Sequence, residues 1–461
     1  MSSGLIQLGT RANPRPATAS PRPVGRRLYI ETYGCQMNIN DTELMEGLLA
    51  ARGFVRVGDP AGADVVLINT CAIREHAERR VQGRIGQLQR HRAANPDLIL
   101  GVTGCMAQRL GPRLTAPGSG VDLVVGPDAY RGLGDLIEGM RTDAIERGQM
   151  LLDLDAEENY EGVESVRTSG VSAWITVQRG CDHRCTFCIV PYVRGGEKNR
   201  DPAAVLAEVR DAVEQGYGEV VLLGQTVNSY RHGDWDFARL LRAVARVDGV
   251  RRVRFTSPHP NDVDEALLRV MAEEEAVCRQ LHLPVQSGSD RTLKRMVRRY
   301  TSAGFLEKVD LARAVVDDLA LSTDVIVGFP GETEAEYGET LDLMRTVRFD
   351  DAYLYRYSLR EGTPATRLPD EDFVADDVGA ERLRGLIELQ RAIQREIAES
   401  EVGSTREVLV ERSARSEGDM LGRTERNKFV AFPGEDGLIG SYLDVTLTGT
   451  TGATFTGVRC V

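Results

Sequence analysis

Gly180-Cys181-Asp182-His183-Arg184-Cys185-Thr186-Phe187-Cys188 sets three cysteines at Cys-x3-Cys-x2-Cys spacing on what must be a tight loop. Just before it, Ala173-Trp174-Ile175-Thr176-Val177-Gln178 alternates and is rich in β-branched and aromatic residues, so it reads as a strand. A helix-compatible run begins near Pro202. The loop therefore lies at the carboxyl end of a strand, where α/β folds place their chemistry. Three thiolates do not complete a tetrahedral zinc site. On a four-iron cluster they leave one iron without a protein ligand, free to bind another molecule. A structural zinc loop with a distant fourth ligand is the competing reading.

Downstream of the loop, strand and helix alternate. Strands are expected at 173–178, 219–223, 252–256, 280–285, 322–327 and 352–357. Helices are expected at 203–214, 237–245, 264–274, 302–317 and 334–346, with a long amphipathic helix at 376–401 closing the region. Six such βα units predict an open, partial (βα)6 barrel of the TIM kind. Its strand ends carry glycine-rich turns that include Gly224, Gln225, Ser287, Gly288 and Gly328. Glycine turns end most strands and say little singly. Together they ring one mouth, where a nucleotide-like cofactor is expected to lie, with Phe187 beside the third cysteine.

Upstream, strands are expected at 27–32, 64–69, 98–103 and 121–125, and helices at 41–51 and 73–92. Near-continuous apolar strands alternating with helices predict a parallel sheet covered on both faces. Cys35 follows the first strand, Cys71 the second and Cys105 the third. Taken singly, each reads as a buried small hydrophobe. Three in equivalent positions, beyond the carboxyl ends where such a sheet opens its crevice, point to a second cluster with three protein ligands. The polar, acidic stretch 153–170 reads as a linker, and the acid-free, proline-containing stretch 1–25 as a disordered tail.

From residue 402 the chain turns to short β-rich runs at 407–410, 429–432, 443–448 and 454–458, separated by glycine and polar turns. That pattern predicts a small β-barrel, a frequent nucleic-acid platform. Seven Lys/Arg against eight Asp/Glu show that this module is not basic overall. Arg423, Arg426 and Lys428 cluster beside Phe429 and are the candidate RNA contact, with a solvated hairpin as the plainer reading.

The chain has 461 residues, enough for several cores, and its 42% apolar and 27% charged content is that of a soluble protein. No apolar run reaches the ~18 residues of a membrane span. Eight cysteines in so long a chain are no disulfide framework, and their grouping favours metal over bridges. Oxygen-labile clusters imply a reducing, cytoplasmic setting. A net charge of −12 excludes indiscriminate nucleic-acid binding through overall charge.

These pieces, in this order, resemble the radical S-adenosylmethionine (SAM) methylthiotransferases. The resemblance runs from Arg27 over nearly the whole chain. It rests on Thr32-Tyr33-Gly34-Cys35-Gln36-Met37-Asn38, Asn69-Thr70-Cys71-Ala72-Ile73-Arg74-Glu75, the Cys-x3-Cys-x2-Cys loop, Leu223-Gly224-Gln225, Leu281-His282-Leu283-Pro284-Val285-Gln286-Ser287-Gly288-Ser289 and Gly422-Arg423-Thr424. It implies domains at 26–143, 165–401 and 402–461, the last a TRAM domain. It implies two 4Fe-4S clusters, one on Cys35, Cys71 and Cys105 and one on Cys181, Cys185 and Cys188. The open iron of the second would chelate SAM for reductive cleavage to a 5′-deoxyadenosyl radical. The first would carry the sulfur, and a second SAM would supply the methyl group. Within the family, Gln36-Met37-Asn38 resembles the branch acting on tRNA with a prenylated adenosine next to the anticodon; an electron donor such as flavodoxin or ferredoxin is implied. The sister branch, which methylthiolates an aspartate of a ribosomal protein, usually has proline after the first cysteine. A non-catalytic iron–sulfur or zinc RNA-binding protein is the rival of another class.

Overall fold

The computed structural model describes residues 26–72, 75–167 and 170–460. The tail expected at 1–25, and the first two residues of the helix expected at 73–92, lie outside them. The described residues divide into two units: one takes those between 26 and 167 with 178–183 and 189–200, the other 170–177, 184–188 and 201–460.

The first unit is built on a six-stranded parallel sheet. Its order is Val55–Arg56, Arg27–Tyr33, Val65–Thr70, Ile99–Gly104, Leu123–Val125, Gln149–Leu151. Val65–Thr70 and Ile99–Gly104 are buried at every position. Alternate side chains serve opposite faces: Val65 and Leu67 join one core, Val66 and Ile68 the other. The two outermost strands are too short to show an alternation in sequence. The helix Cys105–Leu114 was hidden by Gly111 and Pro112, where it kinks. The expected linker is partly anchored. Tyr160 is buried, stacks on Tyr130 with ring centroids 5.7 Å apart, and donates its hydroxyl to the Pro127 carbonyl at 2.7 Å.

The second unit holds two three-stranded parallel sheets. They are Ser172–Thr176, Glu219–Leu223, Arg252–Phe255, and Gln280–His282, Ala320–Val327, Asp351–Arg356. A bridge between Val253 and Val277 joins them into the open partial barrel. The strand expected to run to 285 stops at His282. Pro284 brings no N–H to a ladder, and Gln286 turns the chain with a φ of 70°. The long helix Asp376–Glu401 covers the last strands, with Gln390 donating to the Phe349 carbonyl at 2.9 Å.

A closed five-stranded barrel follows, in the order Thr405–Ser413, Asp419–Thr424, Phe429–Pro433, Thr454–Arg459, Tyr442–Thr450. Its second strand escapes a sequence reading because Gly422 interrupts it. The glycine is required there: a Cβ would sit 2.5 Å from the Leu409 carbonyl oxygen. Among the described residues, no helix is long and apolar enough to cross a membrane.

Candidate metal centres

The first unit brings Cys35, Cys71 and Cys105 together, each just beyond the carboxyl end of its strand. Local sequence sets each one. Cys35 caps the helix Gln36–Ala50, which starts five residues earlier than the apolar pattern predicts. Asn38 makes this early start possible: its side-chain oxygen accepts from the Cys35 backbone N–H at 3.2 Å. The Asn38 amide nitrogen donates onward to Asn69 Oδ1 and to the Thr70 carbonyl, both at 3.1 Å. Asn69 returns a bond to the Asn38 carbonyl at 2.7 Å. The turn carrying Cys35 is thus tied to the strand end carrying Cys71.

Two glycines let the strand ends close up. A Cβ on Gly34 would stand 2.8 Å from the Cys71 Cβ. Gly104 has a φ of +89°, and a Cβ there would stand 2.5 Å from both Asn69 Oδ1 and the Thr70 carbonyl oxygen. Cys105 then opens the helix Cys105–Leu114.

The electrostatics favour anionic sulfur at one corner. A hydrogen bond from Cys71 draws the Cys35 thiol down to about 6 against burial, with Arg194 assisting. Burial pushes the Cys105 thiol up, and Arg194 works against it. Arg194 donates from Nε to Cys105 Sγ at 3.1 Å and from Nη2 to Asp41 Oδ2 at 2.6 Å. Arg179 donates to the other oxygen of Asp41 at 3.1 Å. Burial pushes the Asp41 carboxyl up, but Arg194 and Arg179 hold it below the usual carboxylate range. Three cysteines outside any disulfide, with a buried Arg194 N–H that has no acceptor among the described residues, suit a metal–sulfur cluster as occupant.

The Cys-x3-Cys-x2-Cys loop is held along its length. Gly180 has a φ of +74°, and the Cys181 backbone N–H donates to the Gly195 carbonyl at 3.1 Å. In the second unit, Thr186 is pinned from both sides. Its N–H donates to the Met296 carbonyl at 3.1 Å, and its carbonyl accepts from Ala365 at 2.9 Å. Arg298 lies against Cys185, with Nη1 donating to Sγ at 3.4 Å and Nη2 to the Pro284 carbonyl at 3.1 Å. Phe187 packs with Met296, Phe329 and Ala365 and so braces the loop. Gly224 is buried at the end of its strand, and the neighbouring Gln225 keeps a buried Oε1 with no partner among the described residues. That free acceptor fits a bound polar cofactor such as SAM. Gly328 turns with a φ of +70°, its N–H donating to Glu332 Oε2 at 2.6 Å.

Five of the expected contact residues sit in packed or ion-paired surroundings. Ser287 is fully buried, its hydroxyl 3.3 Å from Thr340 Oγ1. Gly288 lies so close to the helix Glu334–Val347 that a Cβ would be 2.5 Å from the Glu339 carbonyl oxygen. Both residues pack against that helix. Arg423, Arg426 and Lys428 do not form a free basic patch. Arg423 pairs with Glu219 at 3.2 Å and Glu411 at 2.7 Å. Arg426 pairs with Asp318, Asp350 and Glu401, and Lys428 with Asp350 at 2.9 Å. Their charge is spent on carboxylates within the unit.

Sequence reasoning missed Asp41, Arg179, Arg194 and Arg298. Nothing in the sequence separates them from solvated charges; only Arg194, directly before Gly195-Gly196 and six residues past Cys188, stands near a recognised motif.

Residues 27–126 match the Uncharacterized protein family UPF0004, 175–344 the Radical SAM superfamily, and 399–457 the TRAM domain. A tRNA-2-methylthio-N(6)-dimethylallyladenosine synthase from Chloroherpeton thalassium is 42% identical over 94% of this chain and 95% of its own length. The enzyme of that name from Chlorobaculum tepidum is 44% identical over 93% of this chain and 97% of its own. In fold, the chain is similar to the radical S-adenosylmethionine methyltransferase TsrM from Kitasatospora setae. The TM-score is 0.55 at 15% identity, covering 71% of this chain and 72% of that one. With its cysteine loop, its three converging strand-end cysteines and its terminal five-stranded barrel, the chain belongs to the tRNA-2-methylthio-N(6)-dimethylallyladenosine synthase family of radical SAM enzymes.

Proposed function

We propose that this enzyme methylthiolates the prenylated adenosine next to the anticodon of tRNA, giving the 2-methylthio derivative. The observation that carries this reading is the convergence of Cys35, Cys71 and Cys105 in one unit of a chain that also carries the Cys181, Cys185, Cys188 loop. Replacing an aromatic C–H by C–S is beyond side-chain acids and bases, so a radical cofactor is required. Cys181, Cys185 and Cys188 would hold one 4Fe-4S cluster and Cys35, Cys71 and Cys105 a second, and the two would supply one-electron cleavage of SAM and the sulfur to be transferred.

The chain's own residues do the holding. Asn38, Asn69, Gly34 and Gly104 fix the first three thiols, and Arg298 with Thr186 fixes the loop around Cys185. Gln225 offers its free oxygen to SAM. A low-potential electron donor such as flavodoxin or ferredoxin and a cytoplasmic setting go with oxygen-labile clusters.

The test is anaerobic incubation of the reconstituted enzyme with SAM, dithionite and tRNA bearing the prenylated adenosine, followed by nucleoside mass analysis. The 2-methylthio nucleoside is expected. Its absence from loaded, SAM-cleaving enzyme overturns the substrate assignment.

A further inference from the structure

Arg194 closes the short helix Val190–Arg194 and is buried. Two of its three nitrogens are occupied: Nη2 donates to Asp41 and Nε donates to Cys105 Sγ. The third, Nη1, is buried with no hydrogen-bond partner among the described residues. A guanidinium does not shed its proton, so this donor is not relieved by neutralisation. An unmet charged donor in the interior calls for an explanation.

Charge matching sharpens the point. Asp41 is buried and faces two guanidinium groups, Arg179 on Oδ1 and Arg194 on Oδ2. One carboxylate neutralises one of them. Arg179 gives its Nη2 to the Pro127 carbonyl at 3.1 Å, lies 4.8 Å over the Tyr160 ring, and keeps a buried Nε with no partner among the described residues. Arg194 alone of the pair turns toward sulfur. The second positive charge therefore sits at the thiols, with one donor already on a thiol and another still open.

We infer that Arg194 is a positioning residue that sets the reduction potential of the cluster on Cys35, Cys71 and Cys105, with cluster sulfur as the acceptor its Nη1 lacks. Hydrogen bonds to sulfur and nearby net charge are what tune such potentials. A fixed cation favours the more negative, reduced state. The inference rests on these three cysteines being cluster ligands. The plainer role for Arg194 is neutralisation of Asp41.

The test uses full-length protein with Cys181, Cys185 and Cys188 replaced by Ala, so that only the first site loads. The parent is reconstituted anaerobically, and its iron and sulfide are counted. A parent without iron removes the cluster reading itself, whatever Arg194 does. In a loaded parent, Arg194→Gln should retain iron but become harder to reduce in an EPR-monitored titration. The expected shift in the reduction equilibrium is about tenfold, ~59 mV for one electron. An unchanged midpoint overturns the inference. Where Arg194→Gln loses its iron, Arg194→Lys decides, because it keeps a cation for Asp41 without the guanidinium fork. A lowered midpoint in the loaded Lys variant supports the inference. A parental midpoint there, or failure of both variants to fold, assigns Arg194 to Asp41 and overturns it.

Discussion

Asn38, in the first turn of its helix, and Asn69, at the end of its strand, hold each other, the one donating to the other's side-chain oxygen at 3.1 Å and receiving a bond on its own carbonyl at 2.7 Å. Both are wholly buried. Asn69→Ala strips Asn38 of one acceptor and Thr42 of one donor in the interior. The expected cost is about 1–3 kcal/mol, read by denaturant unfolding. Cluster loading at the first site should fall, while loading at the Cys181 loop should not. Equal loss at both would make the effect global.

Replacing Cys35, Cys71 and Cys105 together by Ala should leave roughly half of the parental iron on simple ligand counting. That protein should still cleave SAM reductively, and should make no methylthiolated tRNA. The reciprocal variant, Cys185→Ala, should lose SAM cleavage. Methylthio product from the triple variant, with free thiol chemistry excluded, would remove the first site from the reaction.

Glu219 predicts an acid limb in stability. Burial pushes its carboxyl up, but Arg254 and Arg423 outweigh this and hold it at about 2. A folded value below the unfolded one stabilises the protein above the ordinary glutamate value of about 4.3. The contribution, on the order of 3 kcal/mol, fades as pH falls from there through about 2. Glu219→Gln should therefore be less stable than the parent at neutral pH, and the gap should narrow across this window. Chemical denaturation at stepped pH measures it; a gap independent of pH would place the role of Glu219 outside electrostatics.

Arg426 carries three ion pairs, at 3.1, 3.2 and 3.1 Å. Arg426→Ala leaves Asp318, Asp350 and Glu401 short of a partner and should cost about 3 kcal/mol, seen as an earlier unfolding midpoint. The salt dependence of tRNA binding should stay as it was. A slope reduced by about one unit would restore Arg426 as a phosphate contact.

What the sequence discloses follows from what repeats along it. The strands Val65–Thr70 and Ile99–Gly104 are buried on both sides, so their apolar runs announce them. Cys35, Cys71 and Cys105 are legible as a set because each takes the same station after such a strand. Asp41 and Arg194 are separated by 153 residues, and no local pattern marks either as interior. The ion pairing of Arg423, Arg426 and Lys428 is hidden for the same reason. Its partners Asp318, Asp350 and Glu401 lie on other elements, so the sequence displays the positive charges without the negative ones that absorb them. At Ser287 and Gly288 the close helix approach is not legible in sequence, because a ligand approach asks for the same small residues.

The first unit is not a severable module. Its sheet is complete by Leu151, yet the cations that balance its buried Asp41 and Asp128 are Arg179, Arg194 and Lys198, from 178–183 and 189–200. A fragment cut anywhere in the acidic stretch after Leu151 would carry two interior carboxylates without their counterions. Anyone grafting this unit onto a relative, or expressing it alone, must transplant the returning segment with it. The two pieces are bound in the same way at single positions: a substitution at Asp41 strands Arg179 and Arg194, well over a hundred positions further along the chain.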